Sequence, residues 1–249
     1  MKNISNINCT FYRGDNVDNN NRKQEILDIL YKKGRVSVKE FSKTLYVSEM
    51  TVRRDLAEME KSGFLKRYRG GAILKADSRE MPITERFLID VNEKKLLSEL
   101  CTPYLKDNIT VYLDSSSTCL YIIPHLAKYK NITIVTNSVK ALLNASSLHI
   151  PCILLGGEYY EQDMCLVGSL AEEYAKNINI DVAFMTTAAY SNDGVISDFD
   201  IRQTAMRKII IKNSGKAIFL FEKNKIGKKL TYTLCRKDDK NVVILISDN

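Results

Sequence analysis

The sequence predicts two domains: a small N-terminal winged helix-turn-helix of α+β type, and a larger C-terminal α/β domain with a mainly parallel sheet. Three observations predict this. The first third of the chain holds all of the net positive charge, that third reads as three short helices closed by a hairpin, and the remainder alternates apolar strand-like runs with helical stretches. Residues 1–75 carry 16 Lys and Arg against 9 Asp and Glu, whereas residues 76–249 carry 21 of each, so the whole +7 belongs to the first module. A basic module attached to a neutral domain points to a polyanionic partner.

Composition bounds what else the chain can be. Its 249 residues, 45% hydrophobic and 27% charged, suffice for one small and one medium core. No apolar run nears the ~18–20 residues of a membrane span, so no membrane partner is expected. The polar start MKNISNINCTFYRGDNVDNNN lacks the apolar core of a secretory signal. Residues 1–20 read as a poorly ordered arm, 21–75 as the winged module, 76–92 as a linker and 93–249 as the α/β domain. The six cysteines (Cys9, Cys101, Cys119, Cys152, Cys165, Cys235) form no Cys-x-x-Cys pair, the pattern of a reduced, cytoplasmic protein. His125 and His149 stand at no metal-ligand spacing from a cysteine, so neither metal nor cofactor is expected.

In the first module, Ile26, Ile29 and Leu30 recur at helical spacing from Asn21, and Gly34 stops that helix. S-V-K-E at 37–40 forms a capping box: Ser37 can accept from the amide three residues on, while Glu40 reaches back. Phe41 and Leu45 supply the inward face, and the helix breaks near Tyr46–Val47. Ser48 then caps the third helix within VSEMTVRRDL, residues 47–56. Val52, Leu56 and Met59 form its buried stripe, while Met50, Thr51, Arg53, Arg54, Ala57 and Glu58 point away. Gly63 ends it as a C′ residue. FLKRYRGGAIL alternates and turns at Gly70-Gly71, as a hairpin does.

A unit of this plan lays its third helix in the major groove of double-stranded DNA, with the N-terminal residues at the base edges. Arginine suits that place because its planar fork grips guanine or a phosphate bidentately. Lys66, Arg67 and Arg69 on the wing would meet backbone phosphates. The plainer alternative has Arg53 and Arg54 merely pairing with Glu49 or Glu58 at helical spacing. The capped second helix, short turn, localised charge and basic hairpin together favour DNA.

These residues also carry a resemblance. VSEMTVRRDLAEMEKSGFLKRYRGGA resembles the DNA-binding signature of the DeoR family of bacterial transcriptional regulators. The shared features are Val-Ser, then Thr, an aliphatic residue, two arginines, Asp and Leu, and the closing Arg-Gly-Gly-Ala. The resemblance implies that Ser48, Thr51, Arg53 and Arg54 face DNA. Ser37, Lys66, Arg67 and Arg69 complete the candidate DNA-binding set, and Asp55 is expected to orient an arginine or cap local structure.

In the second module, ITVYL (109–113), ITIVT (132–136), CILL (152–155), DVAFMT (181–186), KAIFLF (216–221) and VVILI (242–246) read as strands. Helical patterns fall between them at about 93–104, 118–127, 138–147, 167–177 and 200–213. Such alternation implies a parallel sheet covered on both faces, with ligands expected beyond the carboxyl ends of the strands. Asp114, Ser115, Ser116, Ser117 and Thr118 follow the first strand and open a helix, a natural cradle for phosphate or carboxylate. Thr136, Asn137 and Ser138 close the second strand, Gly156 and Gly157 follow the third, and Lys225 lies after the fifth. The plain readings are N-caps and a turn.

The DeoR resemblance extends over nearly all of residues 21–249. DSSST resembles the family's Asp-Ser-Gly-Thr-Thr phosphate loop, TNS and LLGGE match, and EKNKIG resembles its Asp-Ser-Ser-Lys-Phe-Gly. The resemblance implies a ribose-5-phosphate-isomerase-like sensor domain and a phosphorylated sugar-type effector that changes operator affinity. It further implies a repressor of a sugar or related metabolic operon, acting as a homo-oligomer, dimer or tetramer. Ser116, Glu222 and Ala189 depart from the pattern, implying either a ligand that differs from the family norm or weakened sensing. Two alternatives are an isomerase-like enzyme using Asp114, Glu158, Glu222 and Lys225 as acid–base groups, and a constitutive DNA-binding protein whose second domain only oligomerises.

Overall fold

Of the expected Ile26, Ile29 and Leu30, Ile26 and Leu30 are buried in the first helix, α1 (Val17–Lys33), together with Leu27, while Ile29 is half-buried. The computed structural model describes residues 17–61, 65–74, 83–87 and 89–247, and the chain divides into units cut between Ala76 and Asp77. The expectations for the arm before Val17, for Gly63 and for Pro82 fall outside the described residues. α1 starts at Val17, ahead of the expected Asn21.

Gly34 closes α1 through its amide to Leu30 O at 2.6 Å. The unit continues with β1 (Arg35–Ser37), α2 (Val38–Leu45), α3 (Glu49–Lys61), β2 (Leu65–Tyr68) and β3 (Gly71–Leu74). The expected hairpin is β2–β3, and β1 adds a third strand antiparallel to β3. Three residues are too few for a periodic pattern, so β1 was not legible in advance. Gly71 permits the pairing, because a Cβ there would lie 2.3 Å from Val36 O.

The second unit begins inside the segment read as a linker. α4 (Ile83–Arg86) and the first residues of α5 (Val91–Leu100) lie there. Ile83 and Ile89 are buried, and Phe87 stacks on Tyr121 with ring centroids 5.1 Å apart. These apolar anchors are spaced too irregularly to read as a helix face, which is why the segment looked like connection.

All six apolar runs are strands of one sheet: β4 (Thr110–Leu113), β5 (Thr133–Thr136), β6 (Cys152–Leu154), β9 (Ile180–Met185), β12 (Ser214–Phe221) and β14 (Val242–Ile246). Their order is β14-β12-β9-β4-β5-β6, all parallel. Alternate residues divide between two cores. Val111, Leu113, Phe184 and Leu220 pack with α5, α6 (Ile123–Leu126) and α7 (Val139–Ser147). Tyr112, Ala183, Met185 and Phe219 pack with α8 (Ser169–Lys176) and α9 (Ile201–Lys212). The remaining strands are short additions: the hairpin β7 (Glu158–Tyr160)–β8 (Cys165–Val167), and a small sheet of β10 (Ala189–Tyr190), β11 (Val195–Asp198) and β13 (Tyr232–Arg236).

This order fixes where a ligand can sit. From β4 the chain builds outward through β5 and β6, then returns to β9 on the opposite side of β4. The loops after β4 and β9 therefore flank a topological switch point, the place at the carboxyl edge where open α/β sheets form their ligand crevice. The helix expected at 118–127 is shorter than predicted: a 3₁₀ turn over Cys119–Ile122 precedes the four-residue α6. Pro124, which has no N–H, helps to keep that segment from forming a longer α-helix. No helix among the described residues is long and apolar enough to cross a membrane.

Candidate functional site

The N-terminal turn of α3 is closed by its own hydroxyls. Ser48 Oγ accepts from Thr51 N at 3.2 Å and shares a 3.0 Å hydrogen bond with the Thr51 hydroxyl. Val52, Leu56 and Met59 are buried, whereas Arg53 and Arg54 are exposed. Arg53 donates to Glu49 Oε2 at 2.9 Å, one of the two pairings at helical spacing. The other does not form. Lys23 of α1 holds Glu58 at 2.8 Å and pulls its pKa down, with Arg54 adding a weaker pull. Among the described residues Arg54 has no hydrogen-bonded or ion-pair partner.

Asp55 is fully buried and accepts from Arg22 Nε at 2.5 Å and Nη2 at 3.2 Å. It thus orients an arginine of α1 rather than one of its own helix. Ser37 caps α2 by accepting from Glu40 N at 3.2 Å. The reciprocal half of the expected capping box is absent because the Glu40 carboxylate takes the Lys33 ammonium instead, a charge-assisted bond stronger than one to a neutral amide. On the wing, Arg67 leans on Glu60 at 3.6 Å. Lys66 and Arg69 are exposed and, among the described residues, have no ion-pair partner.

In the second unit Asp114 joins the two sides of the switch point. Its Oδ1 accepts from Ser116 N at 2.9 Å, and its Oδ2 accepts from Thr186 N, beyond β9, at 2.8 Å. Arg207 of α9, buried, donates to Asp198 Oδ2 at 2.9 Å and to Asp114 Oδ2 at 3.4 Å. Burial disfavours the Arg207 charge, but the two carboxylates outweigh it and raise the pKa. Ser116 Oγ accepts from Cys119 N at 3.1 Å. Neither Ser116 nor Ala189 has a positive φ, so the side chains standing where glycines were expected cost no backbone strain.

Lys225 reaches the same edge through Glu222. The Glu222 carboxylate lies 2.6 Å from Lys225 Nζ and accepts from the Thr118 hydroxyl at 2.5 Å. Burial pushes its pKa up, but Lys225 and Lys94 prevail and hold it at about 2. Lys94 is itself buried, which draws its ammonium down to about 8 despite the nearby Glu222. Thr118 and Lys225 thereby meet at one carboxylate, while Ser115 faces Gln203 of α9 and is buried, as are Ser117 and Thr118.

Thr136, Asn137 and Ser138 are differently engaged. The Thr136 hydroxyl donates to Leu113 O at 2.6 Å and accepts from Ser138 N at 3.0 Å. Asn137 accepts from Tyr112 OH and donates to Leu166 O, both at 3.1 Å, and Ser138 caps α7 at Ala141 N. All three are fully buried, and they fasten the ends of β4, β5 and β8. Gly157, at φ +141°, lets Val167 O approach to 2.5 Å of where a Cβ would stand, while Gly156 is followed by open space on its Cβ side. β5 and the residues that follow it are separated from β12 by β9 and β4.

Sequence reasoning missed Gln203, Arg207, Lys94, Arg86 and Asp163. Gln203 Nε2 faces Ser115 Oγ at 3.2 Å, Asp163 Oδ2 at 3.1 Å and Cys165 Sγ at 3.1 Å, and Asp163 also pairs with Arg86. A signal existed for two of them. In IRQTAMRKIIIK, Gln203 and Arg207 stand four apart on the face that also buries Met206 and Ile210, and polar residues on a buried face demand partners.

Comparison with known proteins follows the same division. Residues 22–77 match the model of the DeoR-like helix-turn-helix domain, and residues 89–248 match that of the DeoR C terminal sensor domain. The HTH-type transcriptional regulator GolR of Listeria innocua is 28% identical over 230 residues, covering 92% of this chain and 90% of its own. The lactose phosphotransferase system repressor of Staphylococcus epidermidis is 28% identical over 228 residues, covering 90% of each. Among solved structures, a D-ribose-5-phosphate isomerase in complex with phospho-erythronic acid is 21% identical with a TM-score of 0.42, covering 55% of this chain and 54% of that one.

Proposed function

Because this chain belongs to the DeoR family of DNA-binding transcriptional regulators, we propose that it represses a sugar or related metabolic operon under control of a phosphorylated sugar-type metabolite. One observation carries the reading. The same chain holds a recognition helix with Arg54 open to solvent and a sensor sheet at whose carboxyl edge Thr118 and Lys225 meet at Glu222. The similarity to a lactose phosphotransferase system repressor supports the class of operon. In this reading Glu222 stands in for the effector's anionic group: it already accepts from the hydroxyl and the ammonium that a phosphate would use. An arriving phosphate competes with that carboxylate for Thr118 and Lys225.

The domain is read as a sensor rather than an enzyme. The Glu222 carboxylate is already engaged by the Thr118 hydroxyl and the Lys225 ammonium. Asp114 is hydrogen-bonded at both oxygens and paired with Arg207. Two or more copies would bind repeated half-sites, as symmetric operators require.

The lead-in to the sensor supplies a route by which the effector acts. In sequence, residues 83–94 directly follow the stretch that joins the two units, and they are tied to the crevice at several points. Arg86 pairs with Asp163, which shares Gln203 with Ser115. Lys94 donates to the carbonyls of Arg86 and Ile89 and feels the Glu222 charge. Asn224 donates to Asp90 at 3.1 Å, and Glu93 accepts from Lys223 N at 3.3 Å. The Gln203 amide has two hydrogens for three acceptors. A ligand that takes Ser115 therefore redirects it toward Asp163 Oδ2, the oxygen beside the one that Arg86 holds.

The test is a binding titration with duplexes from the promoters flanking the gene, repeated over a panel of sugar phosphates. One compound should change operator affinity by about 5–150-fold. Absence of binding to any duplex, or turnover of ribose 5-phosphate to ribulose 5-phosphate at enzymatic rates, would overturn the proposal.

A further inference from the structure

The first turns of α3 leave two long side chains uncommitted. Ser48 and Thr51 bond each other, and Arg53 is held by Glu49. Arg54 has no hydrogen-bonded or ion-pair partner among the described residues. Met50 is 74% exposed, one of the most exposed large apolar residues described. The two stand four residues apart, one above the other on the same helix face. Nine residues separate Met50 from the buried Met59, which at 3.6 per turn places it on the opposite side of the helix.

An isolated apolar side chain on a protein surface is common and by itself says little. Here the surrounding chemistry narrows what it can meet. The anions near this face, Glu49 and Glu58, are taken by Arg53 and Lys23, which leaves Arg54 as the unpaired charge beside Met50 among the described residues and suits a polyanion. Phosphates offer Met50 nothing, and neither do the polar edges of guanine, cytosine or adenine in the major groove. The C5-methyl of thymine is the one apolar group displayed there. The flexible thioether can adapt to it without demanding a fixed approach.

We propose that Met50 is a base-reading residue, packing on the C5-methyl of a thymine next to the base that Arg54 reads. The assignment rests on α3 facing DNA. It gives the module a two-part reading head, an apolar contact at Met50 and a bidentate cation one turn on. Ser48 and Thr51 then serve to shape the turn.

The test begins by selecting duplexes from a random pool with the full chain. In the tightest duplex each thymine is replaced in turn by deoxyuridine, which removes the methyl and leaves the hydrogen-bonding edge intact. At one thymine per half-site, replacement should weaken wild-type binding by about four-fold, the equivalent of one buried methyl-sized group. Met50→Ala, and Met50→Gln of similar length, should bind the thymine and uracil duplexes equally. A selected duplex with no methyl-sensitive thymine, or variants as sensitive as wild type, would overturn this inference alone. Failure to select any duplex would overturn it together with the reading of α3.

Discussion

Lys23 of α1 reaches 2.8 Å from the Glu58 carboxylate of α3, and in doing so removes the one anion that could have occupied Arg54 at helical spacing. The adjacent Arg53 keeps its own partner, Glu49, at 2.9 Å. The paired arginines are therefore unequal. Substituting Arg54 by Ala should cost about 1–3 kcal/mol of specific operator binding and relax the preference at one base. Arg53→Ala should cost less, since Arg53 must first leave Glu49. Fluorescence anisotropy at matched salt checks this, and equal losses from both variants would contradict the inequality.

Lys66 and Arg69 lie on the exposed wing without ion-pair partners among the described residues. Replacing either by Ala should weaken binding to specific and random duplexes alike, and reduce the slope of log affinity against log salt by about one. Arg67, engaged by Glu60, should change the slope less. A loss confined to one sequence would contradict the phosphate assignment.

The Asp55–Arg22 clamp makes a prediction about stability rather than binding. Asp55 is fully buried, while the Arg22 side chain is 18% exposed and keeps some access to water. Asp55→Ala should therefore destabilise the winged unit toward the lower end of the ~3–5 kcal/mol typical of breaking a buried pair. Urea denaturation followed at the helical signal would measure it. A change below about 1 kcal/mol would show that the clamp contributes little.

Residues whose role follows from a period were legible in the sequence. Val52, Leu56 and Met59 fell on the buried stripe because 3.6 residues make a turn, and VVILI at 242–246 became β14. The same holds for the DSSST loop, whose place after an apolar strand puts it at the sheet's carboxyl edge. What was not legible are pairings between distant segments. Nothing local says that Lys23 takes Glu58, that Glu40 prefers Lys33 to its own cap, or that Arg207 spans Asp114 and Asp198. Thr136, Asn137 and Ser138 show a second kind of long-range pairing. Their residue types suit a ligand, yet their hydrogen bonds are taken by strand ends that only the fold brings near.

Glu222 links the sensor site to acid stability. Its folded pKa is about 2 against an ordinary 4.5, so the folded state binds its proton less readily than the unfolded chain. Its contribution is fully present above pH 4.5 and is lost as pH falls from there toward 2. A shift of that size corresponds to roughly 3 kcal/mol. Glu222→Gln should be destabilised at neutral pH, where Lys94 and Lys225 lose their carboxylate, and should lack this part of the acid dependence. Unfolding free energies from pH 3 to 7 test it, and a variant with the wild-type slope would show that the ion pair is not the source.

The strongest demand falls on Arg86, which lies far in sequence from every crevice residue it influences. It is paired with Asp163, its carbonyl receives Lys94, and Asp163 shares Gln203 with Ser115. If that chain carries the effector's message, cutting it at Arg86 should separate two quantities that normally move together. Arg86→Gln should still bind the operator and should still be stabilised by the effector in a thermal-shift assay. The ratio of operator affinities with and without effector should fall from the wild-type value toward one. Gln keeps a hydrogen-bonding head but loses the charge, so it tests the ion pair rather than the packing. A wild-type ratio in this variant would place the coupling elsewhere, in Lys94 or the Asn224–Asp90 contact, each separable by the same measurement.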